Sequence, residues 1–338
     1  MRSRAIYGCA GTELSAEERA FFQETKPWGF IVFARNILTK PQLTKLVQSL
    51  RETVNDPEAP VLVDQEGGRV MRLRPPQWKA RPAARRFGEL HERDPEVARE
   101  AVYLNSRLIA HDLREVGINV DCLPVLDLPQ AGADGVIGDR AYASDAAAII
   151  DLGRQVIEGM MEGGVLPVMK HLPGHGRAMA DSHMELPRVA TPTEELSATD
   201  FVPFRSLNQC PLAMTAHVVY EAIDAQRPAT TSPKVIRDVI RGEIGFDGVL
   251  LCDDVSMKAL SGPISVRTKA ALFAGCDIVL HCNGNLVEMR EVASEMKPLD
   301  GASLKRAGAA MAHLAEKPEA FDAVAAEAHL AGLLGVTA

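Results

Sequence analysis

Short apolar runs recur along the chain with room for a helix between most neighbours. They lie at Ala5–Cys9, Gly29–Phe33, Val61–Val63, Ile118–Pro124, Leu166–Met169, Leu212–Thr215, Val249–Cys252 and Asp277–His281. Runs this short, bounded by Gly, Pro or polar residues, predict buried strands. Between them, Leu14–Glu24, Lys40–Val54, Pro95–Val116, Ala146–Glu162, Ser232–Ile244 and Ser265–Ala274 carry apolar residues at helical spacing. Thr12 to Ser15 and Ser232-Pro233 supply helix starts. From Pro298 the chain is Ala-rich and reads as closing helices. About eight strands alternating with helices is the number that closes a parallel barrel. The expected fold is therefore α/β: a single-domain (β/α)8 barrel of the TIM type over residues 1–338, with local irregularity allowed. A doubly wound sheet shares the alternation. No low-complexity tract marks a domain boundary.

Composition narrows the function classes. A net charge of −8 on 338 residues argues against a nucleic-acid surface. No apolar segment approaches membrane-spanning length. Met1-Arg2-Ser3-Arg4 has the charge of a signal peptide, but the apolar run behind it, Ala5 to Ala10, is too short. The six cysteines are scattered and mostly sit in apolar runs, which suits reduced thiols. The expectation is a cytoplasmic protein, monomeric, without a nucleic-acid or membrane partner.

The chemistry concentrates at strand ends. Val165-Leu166-Pro167-Val168-Met169 delivers Lys170-His171-Leu172-Pro173-Gly174-His175-Gly176, followed within a few residues by Asp181-Ser182-His183. Polar titratable groups after a buried strand are where an α/β barrel keeps its chemistry. Asp64 to Arg69, Asp127, His217 and Asp253 follow other runs in the same way. His171 and His175 are spaced like two metal ligands on a helix, but Pro173, Gly174 and Gly176 oppose a helix there. No metal and no cofactor are expected. Asp181 and His183, at i and i+2 of an extended segment, can share a side, so the carboxylate can orient the imidazole for proton transfer. An ordinary solvated loop would carry the same two residues. Asp253 and Asp254 end a buried run, and strand alternation would turn one into the mouth and one away.

These segments together resemble family 3 glycoside hydrolases, in the β-N-acetylhexosaminidase branch. The resemblance rests on KHLPGHG and the following DSH, and on Val63-Asp64-Gln65-Glu66-Gly67-Gly68-Arg69-Val70. It also rests on Pro124-Val125-Leu126-Asp127, Ile137-Gly138-Asp139-Arg140, Thr215-Ala216-His217 and the run from Gly248 to Met257. It implies that Asp253 is the nucleophile of a retaining mechanism and that His183, held by Asp181, is the acid and base. Larger members bring an acid from a separate C-terminal domain, for which this chain has no room. Asp64, Arg72, Arg140, Lys170 and His171 match sugar-binding positions; a salt-bridge network at the barrel mouth is the bland alternative. The implied substrate is terminal β-linked N-acetylglucosamine in a muropeptide fragment of cell-wall recycling.

Leu172, Cys252 and Ala141-Tyr142 depart from the commonest family residues and leave the finer pocket shape open. His175 and His217 are expected to support the loop or barrel top, with Glu66 and Arg69 behind the sugar-binding groups. The cationic, Pro-rich segment Arg72–Arg86 reads as a long loop, flanking the site or simply solvated. Rival readings are a phosphorylase with the same residues, a metal-dependent hydrolase, or a sugar-binding regulator without turnover.

Overall fold

The structure is a computed structural model and describes residues 1–130, 135–178, 185–315, 318 and 320–335. All eight predicted runs form parallel strands. They are β1 (Ser3–Gly8), β2 (Pro27–Ile31), β3 (Val61–Val63), β4 (Val120–Asp121), β5 (Leu166–Leu172), β6 (Leu212–Thr215), β7 (Val249–Leu251) and β8 (Val279–His281). The ladder runs β8-β1-β2-β3-β4-β5-β6-β7. A single parallel bridge, Leu251 to Ile278, joins its two ends. Hydrogen bonds from Cys252 N to Ile278 O (3.0 Å) and from Val255 N to Leu280 O (3.0 Å) complete the ring. The fold is an α/β barrel, as the alternation of runs predicts.

The strands are shorter than the apolar runs where proline intervenes. The run Ile118–Pro124 yields only Val120–Asp121, because Pro124 has no N–H to give the ladder. Pairing resumes beyond it as one bridge, Val125 to Lys170. Every residue of β5, β6, β7 and β8 is buried, so these strands do not alternate between buried and exposed positions, and the polar residues they carry, Lys170, His171, Thr215 and His281, are buried too.

The helices form where the spacing places them. Ser15 opens Ala16–Thr25 with a reciprocal cap: its Oγ accepts from Glu18 N, and Glu18 Oε2 accepts from Ser15 N. Thr39, Asp94 and Asp145 cap Lys40–Thr53, Pro95–Glu115 and Ala146–Glu162 with their side chains. Ser232 Oγ accepts from Val235 N at the start of the helix Val235–Glu243, which has wide, π-type turns. Gly301–Ala312 and Ala323–Leu334 are the closing helices.

The segment Arg72–Arg86 is a loop as far as residue 83, and its Arg72 lines a cavity at the C-terminal end of the barrel. Its end belongs to a helix, Ala84–His91. Its cations divide, with Arg74, Lys79 and Arg86 exposed and Arg81 buried. Arg81 is buried between Asp112 (2.7 Å) and Glu327 (2.6 Å), and Arg86 donates to the Leu334 carbonyl. The segment thus ties the loop after β3 to the last helix. A mixed run of Arg, Pro and Ala gave no apolar stripe from which to read this.

Candidate active site

The loops after the strands enclose a cavity of about 260 Å3 at the C-terminal end of the barrel. Asp64, Arg72, Arg140, Lys170, His171 and Asp253 all line it. Asp181 and His183, the predicted acid–base pair, lie outside the described residues. Phe33, Val136, Ile137, Met214, Met257 and Leu280 supply apolar wall.

One side of the cavity is an alternating charge cluster. Asp64 accepts from Lys170 Nζ (2.9 Å) on one oxygen and from Arg72 (3.0 Å) on the other. Glu66 receives Lys170 Nζ (2.6 Å) and a two-pronged contact from Arg140, both prongs 2.8 Å. Burial pushes both carboxyls up, but the surrounding cations outweigh it and hold each below its usual range. Burial likewise works against the Lys170 ammonium, and Asp64 and Glu66 reverse it, so the amine stays protonated. Gly67 makes this geometry possible. Its φ of +97° and the close approach of Pro82 O, 2.1 Å from where a Cβ would stand, leave no room for a side chain.

The floor is set by Asp127, fully buried after β4. Its Oδ1 accepts from the backbone N–H of His171 (3.2 Å) and His175 (2.7 Å), and Oδ2 faces His171 Nδ1 at 2.7 Å. Burial opposes ionisation, yet His171 and His175 bring its pKa down to about 2. The ionised carboxylate can only accept, so His171 Nδ1 carries a proton. Burial and the neighbouring His171 lower His175 to about 4, which keeps it neutral. At Gly176 a Cβ would meet Leu128 O at 1.9 Å, so glycine lets this loop pack onto residues 127–130.

The tip of β7 carries both aspartates. Asp254 is fully engaged: its carboxylate accepts from Ser256 N (2.9 Å), Ser256 Oγ (2.6 Å) and Cys282 N (3.1 Å). Its carbonyl accepts from Nε2 of the buried His217 (3.0 Å), whose Nδ1 bonds Thr230. Asp253 Oδ1 accepts from Asp254 N (2.8 Å). Both residues border the cavity, with the Asp254 carboxylate turned to Ser256 and Cys282. The strand ends at Leu251, so the pleat no longer dictates direction.

A family model described as the N-terminal domain of glycosyl hydrolase family 3 matches residues 8–316. The chain belongs to glycosyl hydrolase family 3. Within the family this hydrolase stands with the β-hexosaminidases. A β-hexosaminidase of Alkalilimnicola ehrlichii is 41% identical over 282 residues, spanning 82% of this chain and 80% of that one. NagZ from Neisseria gonorrhoeae, in complex with N-trifluoroacetyl-D-glucosamine, superposes with a TM-score of 0.88 at 31% identity, covering 98% of each chain. The same Neisseria protein in complex with a zinc ion gives a TM-score of 0.86 at 30% identity, again covering 98% of each chain.

The positions at which this family 3 hydrolase departs from the usual residues sit behind the cavity lining rather than in it. Leu172, Cys252, Ala141 and Tyr142 are buried and none lines it; the Cys252 sulfur accepts from Leu280 N (3.2 Å). Among the described residues no group of three or more His, Cys, Asp or Glu is arranged to hold a metal ion. His175 borders the cavity as well as bracing the loop, whereas His217 only braces. Arg69 pairs with exposed Asp139 (2.8 Å) and with the carbonyls of residues 135–137, so it fixes the loop that carries Arg140. Glu66 borders the cavity as well as backing Lys170 and Arg140, and Asp127 has a bracing role that the sequence did not assign. An acid directly after an apolar run that must be buried was the available signal for Asp127, since such a charge needs partners.

Proposed function

We propose that this family 3 enzyme is a retaining β-N-acetylhexosaminidase that releases terminal β-linked N-acetylglucosamine. The observation that carries the reading is the single cavity in which Asp253 faces the Asp64–Lys170–Arg72 and Glu66–Arg140 cluster. In this reading Asp253 attacks the anomeric carbon and forms a glycosyl ester, which water then hydrolyses with retention. His183, oriented by Asp181, protonates the departing oxygen and later activates the water. Asp64, Arg72, Arg140, Lys170 and His171 bind sugar hydroxyls: the carboxylate accepts and the cations donate. The Neisseria relative binds N-trifluoroacetyl-D-glucosamine, a fluorinated form of the sugar proposed here.

The finer substrate is N-acetylglucosamine joined to 1,6-anhydro-N-acetylmuramic acid, a muropeptide fragment met in the cytoplasm during cell-wall recycling. The chain works as one barrel domain over residues 1–338, as a monomer, and without cofactor. Among the described residues no helix is long and apolar enough to cross a membrane.

Steady-state turnover of p-nitrophenyl β-N-acetylglucosaminide tests the activity. The expected result is release of free sugar at a rate unchanged by saturating chelator or by added phosphate. Sugar 1-phosphate as the product would make the enzyme a phosphorylase. A loss on chelation, restored by zinc, would make the metal bound in the Neisseria relative part of the reaction here.

A further inference from the structure

Glu66 borders the cavity with both of its carboxylate oxygens engaged by cations. Its Oε2 is taken by Arg140 Nε, and Oε1 by Arg140 Nη2 and by Lys170 Nζ. It is 5% exposed and Lys170 2%, so neither charge can be neutralised by water. On Lys170, two of three N–H bonds are spent on Asp64 and Glu66. On Arg140, Nε and Nη2 are spent on Glu66, and among the described residues Nη1 reaches the Val136 carbonyl at 3.4 Å. Both cations border the cavity with donor capacity remaining.

We propose that Glu66 is the positioning residue that locks Lys170 and Arg140 in one arrangement, so that each presents its remaining donor to the sugar. The proposal rests on the hydrolase reading above. Glu66 does not touch substrate; it acts through the two cations. Asp64 cannot replace it, because its second oxygen is taken by Arg72. Glutamate is also the only acid of the right length. An aspartate is one methylene too short to span Arg140 and Lys170 together, and a glutamine would set its NH2 group against a cation.

The geometry of Glu66 is itself imposed by the chain. Its backbone N–H donates to Val70 O (2.9 Å), closing the tight turn through Gly67. The carboxylate is therefore held from its own backbone, and the cations come to it from β5 and from the loop after β4.

The test is a double-mutant cycle on p-nitrophenyl β-N-acetylglucosaminide, with N-acetylglucosamine inhibition measured alongside. Glu66→Gln should lower kcat/KM by about 100-fold, chiefly through KM, with product inhibition weakened in parallel. Lys170→Met should lower it by a similar factor. With Lys170 already replaced by Met, adding Glu66→Gln should cost about 10-fold rather than 100-fold, since only its hold on Arg140 is left to lose. That comparison also serves if Glu66→Gln by itself does not fold, because the pair removes both charges together. A Glu66→Gln enzyme within threefold of the wild type would overturn the proposal. So would losses that multiply in the pair, or a loss confined to kcat. Absence of wild-type turnover would instead sink the hydrolase reading and this inference with it.

Discussion

Asp121, at the end of β4, is fully buried, and only one of its oxygens has a hydrogen-bond partner among the described residues, the N–H of Gln65 at 2.9 Å. Burial pushes its pKa up from 3.8 to about 8 against that bond. Between those values the folded chain holds a proton that the unfolded chain has released, so stability falls as pH rises. His175 works the other way, with its pKa lowered from 6.5 to about 4. Between pH 4 and 6.5 the unfolded chain holds the extra proton, and stability rises with pH. The two effects oppose each other up to pH 6.5, and only Asp121 acts from there to pH 8. Urea unfolding should show wild-type stability falling by about 1.4 kcal/mol per pH unit over that upper range. Asp121→Asn should flatten the decline; an unchanged slope in the variant would show that Asp121 is ionised in the fold. This acid was hidden in the sequence because it sits inside an apolar run and reads as one more strand residue.

The β7–β8 seam is the element on which the barrel depends most narrowly. A single bridge and a few hydrogen bonds cross it, and β7 is the strand that delivers Asp253. Asp277 binds the seam from below. One oxygen accepts from Arg241 (2.7 Å) and Leu250 N (3.0 Å), the other from Ser303 (2.6 Å) and Arg306 (3.2 Å). Removing one partner of a buried ion pair leaves the others unpaired, so Asp277→Ala should cost about 3–5 kcal/mol. The urea midpoint measures this, and a loss below about 1 kcal/mol would mean that the helix Gly301–Ala312 is held by packing alone. Strands and their order were legible in the sequence because each is an apolar run with polar neighbours. The helix Ala84–His91 was not, since its eight residues are short for a helical stripe and Arg85 and Arg86 interrupt the apolar face that packs on Pro95–Glu115. Leu286–Ser294, capped by Asn285, was missed because it follows β8 where no stripe stood out.

For the molecule as a whole, the candidate site was legible to the extent that its parts are local. Strand ends marked by Asp64, Lys170, His171 and Asp253 could be read one by one, and ring closure brings them to one cavity. The pairs that tune them could not be read this way. Glu66 and Arg140 are 74 residues apart, and Asp127 and His171 are 44 apart, so only the closed barrel makes them neighbours. The central claim is that Asp253 is the group that bonds to the sugar. An activated 2-fluoro glycoside, whose ester with the enzyme breaks down slowly, tests it in one measurement: peptide mass spectrometry after inactivation. The account predicts the added sugar mass on Asp253, with no labelling in Asp253→Asn. Label on Asp254 or on any other residue would contradict it.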